Sequence, residues 1–103
     1  MQIGEPGSRS LRLELITPFV RQGEDIEVKI TAKNAAAVVV EVFAPDTIVV
    51  SSPHKVAVGK GTFSKTVKWT VERGQPKTAA LMVEISVFAD GQEIQKAMCR
   101  VNR

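Results

Sequence analysis

The one histidine of this 103-residue chain, His54, follows Ser51 and Ser52 closely and has Asp46 a turn away. Nucleophilic catalysis needs a nucleophile, a base and an orienting group brought together, and this is the best such set the sequence offers. The two serines lie in the Pro-broken run Ser51-Ser52-Pro53-His54, where Ser and Pro are ordinary turn residues, and there is no Gly-x-Ser-x-Gly elbow. His54 therefore reads as an exposed loop residue, and no catalytic residue is expected. A copper site of the blue type needs two histidines with a cysteine, and beside one histidine only Cys99, Met82 and Met98 are available as soft ligands. Calcium needs clustered carboxylates, and Glu24-Asp25-Glu27 is the only cluster, on a turn where acids commonly serve to solvate a loop. Paired carboxylates for glycoside hydrolysis have no long loops from which to build a cleft. The expectation is a chain with no metal, no cofactor and no enzymatic activity.

Binding chemistry leaves more to work with. Net charge is +3, but Lys55, Lys60, Lys65, Lys68, Arg73 and Lys77 are opposed over their stretch by Glu72 alone. Lys68 on an outer face, with Lys60, Arg73 and Lys77 in flanking loops, makes a positive surface suited to an anionic polymer. Against that, the segment lacks the interleaved exposed aromatics on which single-stranded nucleic acid stacks, and lysines also guard strand edges against mispairing. A second candidate surface is apolar: Met82 and Phe88 fall on the outward register of one strand. Carbohydrate recognition is disfavoured, since there is no Tyr and the single Trp69 fits an inward position.

These side chains have to be positioned by strands. Leu11-Arg12-Leu13-Glu14-Leu15 alternates with period two, and the alternation resumes after Gln22-Gly23-Glu24-Asp25 with Ile26, Val28, Ile30 and Ala32 inward. Asn34 marks a turn, and 36–43, with four Val, reads as a strand covered on both sides. Ile48-Val49-Val50 is short, and 55–58 reads as an edge strand. Gly59-Lys60-Gly61 predicts a tight turn into a strand that carries Phe63, Val67, Trp69 and Val71 inward and Lys65 at its start. Leu81, Val83, Ile85 and Val87 lead to Asp90-Gly91, a two-residue hairpin signal. In the last strand Ile94 is out of register with Ala97, Cys99 and Val101, which predicts a bulge near Gln95 or Lys96. Nowhere does a helical stripe persist. The expectation is an all-β, two-sheet antiparallel sandwich of seven or eight strands over 11–103, after a flexible lead-in at 1–10.

One cysteine means no internal disulfide, and Cys99 reads as a small buried apolar residue. The N-terminus lacks the apolar region of a signal peptide, and no run is long enough for a membrane-spanning helix.

The Phe-x-x-x-Val-x-Trp-Thr-Val strand from Phe63, the polar Gly/Pro loop, the Leu-x-Val-x-Ile-x-Val strand and the Asp-Gly turn resemble the second half of bacterial and archaeal immunoglobulin-like modules. The segment from Thr17 to Asp25 before its Ile-x-Val-x-Ile strand is similar to their entry into the second strand. The resemblance spans most of 11–101 and implies an immunoglobulin-like module that spaces, adheres or completes a larger surface or multidomain protein, with an extracytoplasmic setting slightly favoured. The chain departs from antibody domains in lacking a cysteine pair and a tyrosine corner. The function expected is therefore a non-catalytic interaction or structural module, meeting a protein partner or its own copy through edge strands. Its alternatives are a polyanion-binding domain and an accessory domain or subunit of an enzyme.

Overall fold

A computed structural model of the chain describes residues 9–74 and 80–102. Among the described residues there are seven strands and no helix: β1 (Ser10–Leu15), β2 (Phe19–Val20), β3 (Asp25–Phe43), β4 (Ile48–Val50), β5 (Lys55–Gly74), β6 (Ala80–Ala89) and β7 (Gln92–Asn102). The all-β class follows from the period-two apolar alternation, which buries one face of each strand and wets the other. The strands join in the order β2-β7-β6-β3-β5-β4, with β1 added to β3. Every pairing is antiparallel except β2 with β7, a two-residue parallel contact that sets Phe19 beside Arg100 and Val20 beside Val101.

The two long strands correct two sequence expectations. Asn34 is not a turn between strands, and Gly59-Lys60-Gly61 is not a tight turn: β3 and β5 run straight through both places. They bend there together. Asn34 takes φ 52°, Gly61 takes φ 88°, and the register slips between Ala32 and Ala35 and again between Ala35 and Val38. Asn and Gly tolerate the left-handed region at little cost, so residues that usually end a strand here let both partners absorb a bulge and carry on. A Cβ on Gly59 would lie 3.4 Å from the Phe63 ring, so the bend is also close-packed.

The bend gives each long strand two sets of neighbours. The first part of β3 lies between β1 and the 63–70 part of β5, while its 38–43 part lies between β6 and the 55–59 part of β5. Leu13, Ile26, Val28, Ile30, Val67, Trp69 and Val71 come from the first half. Val38, Val40, Val42, Val83, Ile85, Val87, Cys99 and Val101 come from the second, and all belong to one buried cluster. Both halves of the sheet therefore bury their alternate residues in the same cluster. Three contacts outside the ladder fasten them: the Trp69 indole donates to the Pro53 carbonyl at 3.0 Å, Cys99 donates to the Thr17 carbonyl at 3.1 Å, and Gln95 bonds to Leu13.

The hairpin at Asp90-Gly91 forms as expected, with Ala89 opposite Gln92 and φ of 53° and 78° at the two turn residues. The bulge in β7 is at Ile94, one residue before the expected place. Val87 pairs with Gln95 and Phe88 with Glu93, leaving Ile94 extra. Lys65, opposite Ile30 on the inward register, is exposed, as expected of a lysine that snorkels.

Candidate functional site

The reactive side chains are each engaged by the backbone or by one another. His54 Nε2 lies 3.0 Å from the Val50 carbonyl and donates to it, and the Ser51 hydroxyl accepts the Thr70 N–H at 2.8 Å. Both contacts fasten the loop after β4 to the body. The three clustered acids diverge: Glu24 accepts the Arg21 N–H, Asp25 accepts the Thr70 hydroxyl, and Glu27 lies 3.9 Å from Lys68. Cys99 is fully buried, and desolvation pushes its thiol up to about 11, so at neutral pH it is a protonated thiol with little nucleophilic character.

The lysine-rich segment is divided between different parts of the fold. Lys68 lies on the outer face of the β1-β3-β5 half, opposite Glu27, and in the next row Lys29 sits between Glu14 and Thr66. Acid and base alternate across that face. Lys60 is exposed at the bend, and Arg73 stands opposite Val49 beside β4. Lys55 belongs to the other half of the sheet, opposite Glu41. Lys77 lies outside the described residues.

Met82 and Phe88 do share one surface, the outer face of the β2-β7-β6-β3-β5 half. Its residues alternate with the buried ones, and the register sets them in four rows. Phe19, Arg100 and Met82 form the first; Met98, Glu84 and Phe43 the second; Lys96, Ser86, Glu41 and Lys55 the third; Phe88, Val39 and Ala57 the fourth, with Glu93 beyond Phe88. Phe19 is 60% exposed, Met98 and Phe43 43%, and Met82 41%. Four large apolar side chains stand within two adjacent rows as diagonal neighbours, with Arg100 between Phe19 and Met82 and Glu84 between Met98 and Phe43. Such a cluster is more telling on a protein surface than apolar residues scattered singly. Arg100 covers the Phe19 ring with its guanidinium 5.6 Å from the centroid, a cation–π contact.

The third row is the polar exception. Lys96 lies 3.7 Å from Glu84 and 3.6 Å from Glu93. Ser86 is fully buried beneath its longer neighbours, and its hydroxyl has no hydrogen-bond partner among the described residues. A shallow recess of about 180 Å³ opens next to it, lined by Val39, Glu41, Lys55, Phe88 and Gly91. A second cleft, of about 280 Å³, lies at the bend between Leu11, Ala35, Ala89 and Ile94. Both are smaller than the usual small-molecule pocket. The face as a whole is suited to a broad, flat partner.

Met82 and Phe88 were legible from their register in β6. Phe43 and Met98 were legible in principle, because each is flanked in sequence by a buried residue of the opposite parity, Val42 and Cys99. Phe19 also has a buried neighbour, Val20, but its strand of two residues is too short to show an alternation, and it pairs with a segment about eighty positions away. No protein-family model matches this sequence, and no curated protein matches it.

Proposed function

We propose that the chain is a non-catalytic interaction module of immunoglobulin-like sandwich form, part of a larger surface or multidomain protein, and that it docks through the outer face of β7, β6 and β3. The sandwich reading is supported by two sheet halves that share one core and by the two long strands that pass from one half to the other. The docking reading is carried by a single observation: Met82, Met98 and Phe43 lie exposed in adjacent rows of one sheet face, with Phe19 at the end of the first row. Burying apolar surface of this kind favours association by about 25 cal/mol per Å² before the costs of ordering are met. The polyanion alternative has less behind it, because Lys68 faces Glu27, Lys55 faces Glu41 in the other half of the sheet, and Lys60 and Arg73 stand elsewhere along the bent β5. The enzyme alternative has less still, because His54 and Ser51 are each held by the backbone.

The reading is tested by placing a photo-crosslinking side chain at Met98 and, as a control, at Thr66 on the opposite outer face. Cross-links to a partner polypeptide form from Met98 and not from Thr66. Equal yields from both positions, or none from Met98, overturn it.

A further inference from the structure

Resting on that docking face, we infer that its partner is a second copy of this chain, packed face to face about a two-fold axis that runs along β6. The inference comes from how the register distributes chemistry on either side of β6, the middle strand of the five. In the second row Met98 stands one strand to one side of Glu84 and Phe43 one strand to the other. In the third row Lys96 and Glu41 stand in the same way on either side of Ser86. A two-fold along β6 exchanges the two sides and keeps each row in place. Met98 then meets Phe43 of the second copy, and Lys96 meets Glu41 of the second copy, each contact occurring twice. Met82 and Phe88, on the axis, meet their own equivalents.

The other way of laying this face on itself, with the axis across the strands, keeps each strand over its own copy and reverses the rows. Met98 then meets Lys96, and Phe43 meets Glu41. Apolar groups are set against charges whose water they displace without pairing them, which is unfavourable. The second arrangement does pair Arg100 with Glu93 and Met82 with Phe88, and the first sets Glu93 against Val39. The first nevertheless makes the apolar contacts Met98–Phe43, Met82–Met82 and Phe88–Phe88 with half as many apolar groups set against charges, and that balance selects it. Packed sheets cross at about 30°, so correspondences are best kept close to the axis, and both pairs lie only one strand, about 4.8 Å, away from it. One like-charge contact arises, Glu84 against its own copy, and in each chain Lys96 stands 3.7 Å from that carboxylate to offset it.

Size sets the strength. On this face β2 reaches only the first row and β5 only the third and fourth, so the overlap is three strands about 4.8 Å apart by four rows about 6.8 Å apart, about 400 Å² per copy. The total of about 800 Å² falls below that of a stable specific interface, about 1,000 Å², and in the range of weak, transient ones. The dimer is therefore weak, with dissociation in the range of about 10 μM to 1 mM.

Sedimentation velocity on the full chain over that range tests it, with circular dichroism as a check that each variant is folded. The wild type shifts from monomer to dimer as concentration rises. Met98→Lys and Phe43→Glu, at exposed positions, each weaken the dimer by about tenfold or more. An equimolar mixture of the two variants recovers association, because the heterodimer keeps one native Met98–Phe43 contact and gains an ion pair in place of the other. A wild type that stays monomeric throughout overturns the inference, as does a mixture that associates no better than either variant alone. In the monomeric case, cross-links from Met98 to a different polypeptide leave the docking face standing and remove only the second copy as its occupant.

Discussion

Gln95 closes the gap between β1 and β7 with a side chain where a neighbouring strand is missing. Its amide donates to the Leu13 carbonyl and accepts the Leu13 N–H, both at 3.1 Å, across 82 positions of sequence. On the β1 edge that faces away from β3, Leu13 presents both of its backbone groups, and one primary amide satisfies both because it carries a donor and an acceptor in a strand-like arrangement. Gln95→Ala leaves a part-buried N–H and C=O without these partners and costs about 1–3 kcal/mol in urea unfolding. Gln95→Glu keeps the acceptor and loses the donor at neutral pH, and regains the donor below about pH 4, where the carboxyl is protonated. Its deficit relative to wild type therefore narrows on acidification, whereas that of Gln95→Ala does not. Equal stability of all three at pH 7 would sink this account. The sequence marks Gln95 only as a polar residue beside an expected bulge. Its partner could not be read, because β1 and β7 meet through tertiary packing and no local pattern links them.

At the scale of elements, the sequence is most informative where the period is clean and least where a bend replaces a turn. The strand cores around Ile26–Ala32, Val67–Val71 and Leu81–Val87 form on the expected registers, whereas 36–43, expected to be covered on both sides, buries Val38, Val40 and Val42 on one face and leaves Phe43 exposed on the other. The other errors fall at Asn34 and Gly59-Lys60-Gly61, because a positive-φ residue is equally compatible with a hairpin and with a bulge inside a continuous strand. Only the partner strand decides between them, and here each bend faces the other. The β7 bulge was legible because Ile94 is out of phase with Cys99 and Val101; the bulge leaves Ile94 as the extra residue, 48% exposed, and does not bury it with them. This gives a sharp prediction. Deleting Ile94 removes only the extra residue, so Glu93 still faces Phe88, Gln95 still faces Val87, and Cys99 and Val101 stay buried. The deletion variant folds with a loss of about 2 kcal/mol or less, from altered twist and displacement of the Gln95 amide. Deleting Ala97 instead keeps Met98–Val101 in place only by moving Lys96 opposite the fully buried Ile85, which abolishes cooperative unfolding. Thermal melts followed by circular dichroism separate the cases; similar melts for both deletions would show that the Ile94 register is not what holds β7.

At the scale of the molecule, the two bent strands decide how the domain comes apart. In a sheet pair joined only by loops, one sheet can loosen while the other persists, and local opening then spans a range of free energies. Here β3 and β5 each belong to both halves, and the bends at Ala35–Val38 and Gly59–Gly61 are in register with one another. Unfolding of the first half pulls Ile26, Val28 and Ile30 from the cluster that also buries Val40, Ile85 and Cys99, and strips the ladder from the same two strands that hold the second half. No residue boundary exists at which the chain could be divided with one core kept intact. Unfolding is therefore two-state: Trp69 fluorescence, which reports the first half, and slow amide exchange at Val40 and Ile85, which reports the second, give the same free energy, as does far-ultraviolet circular dichroism. Fluorescence that changes at a lower urea concentration than the exchange-derived stability of Val40 and Ile85 would show that the halves are separable. It would also weaken the docking proposal, because a face carried by β7, β6 and β3 is held flat only as long as the other half of β3 stays folded behind it.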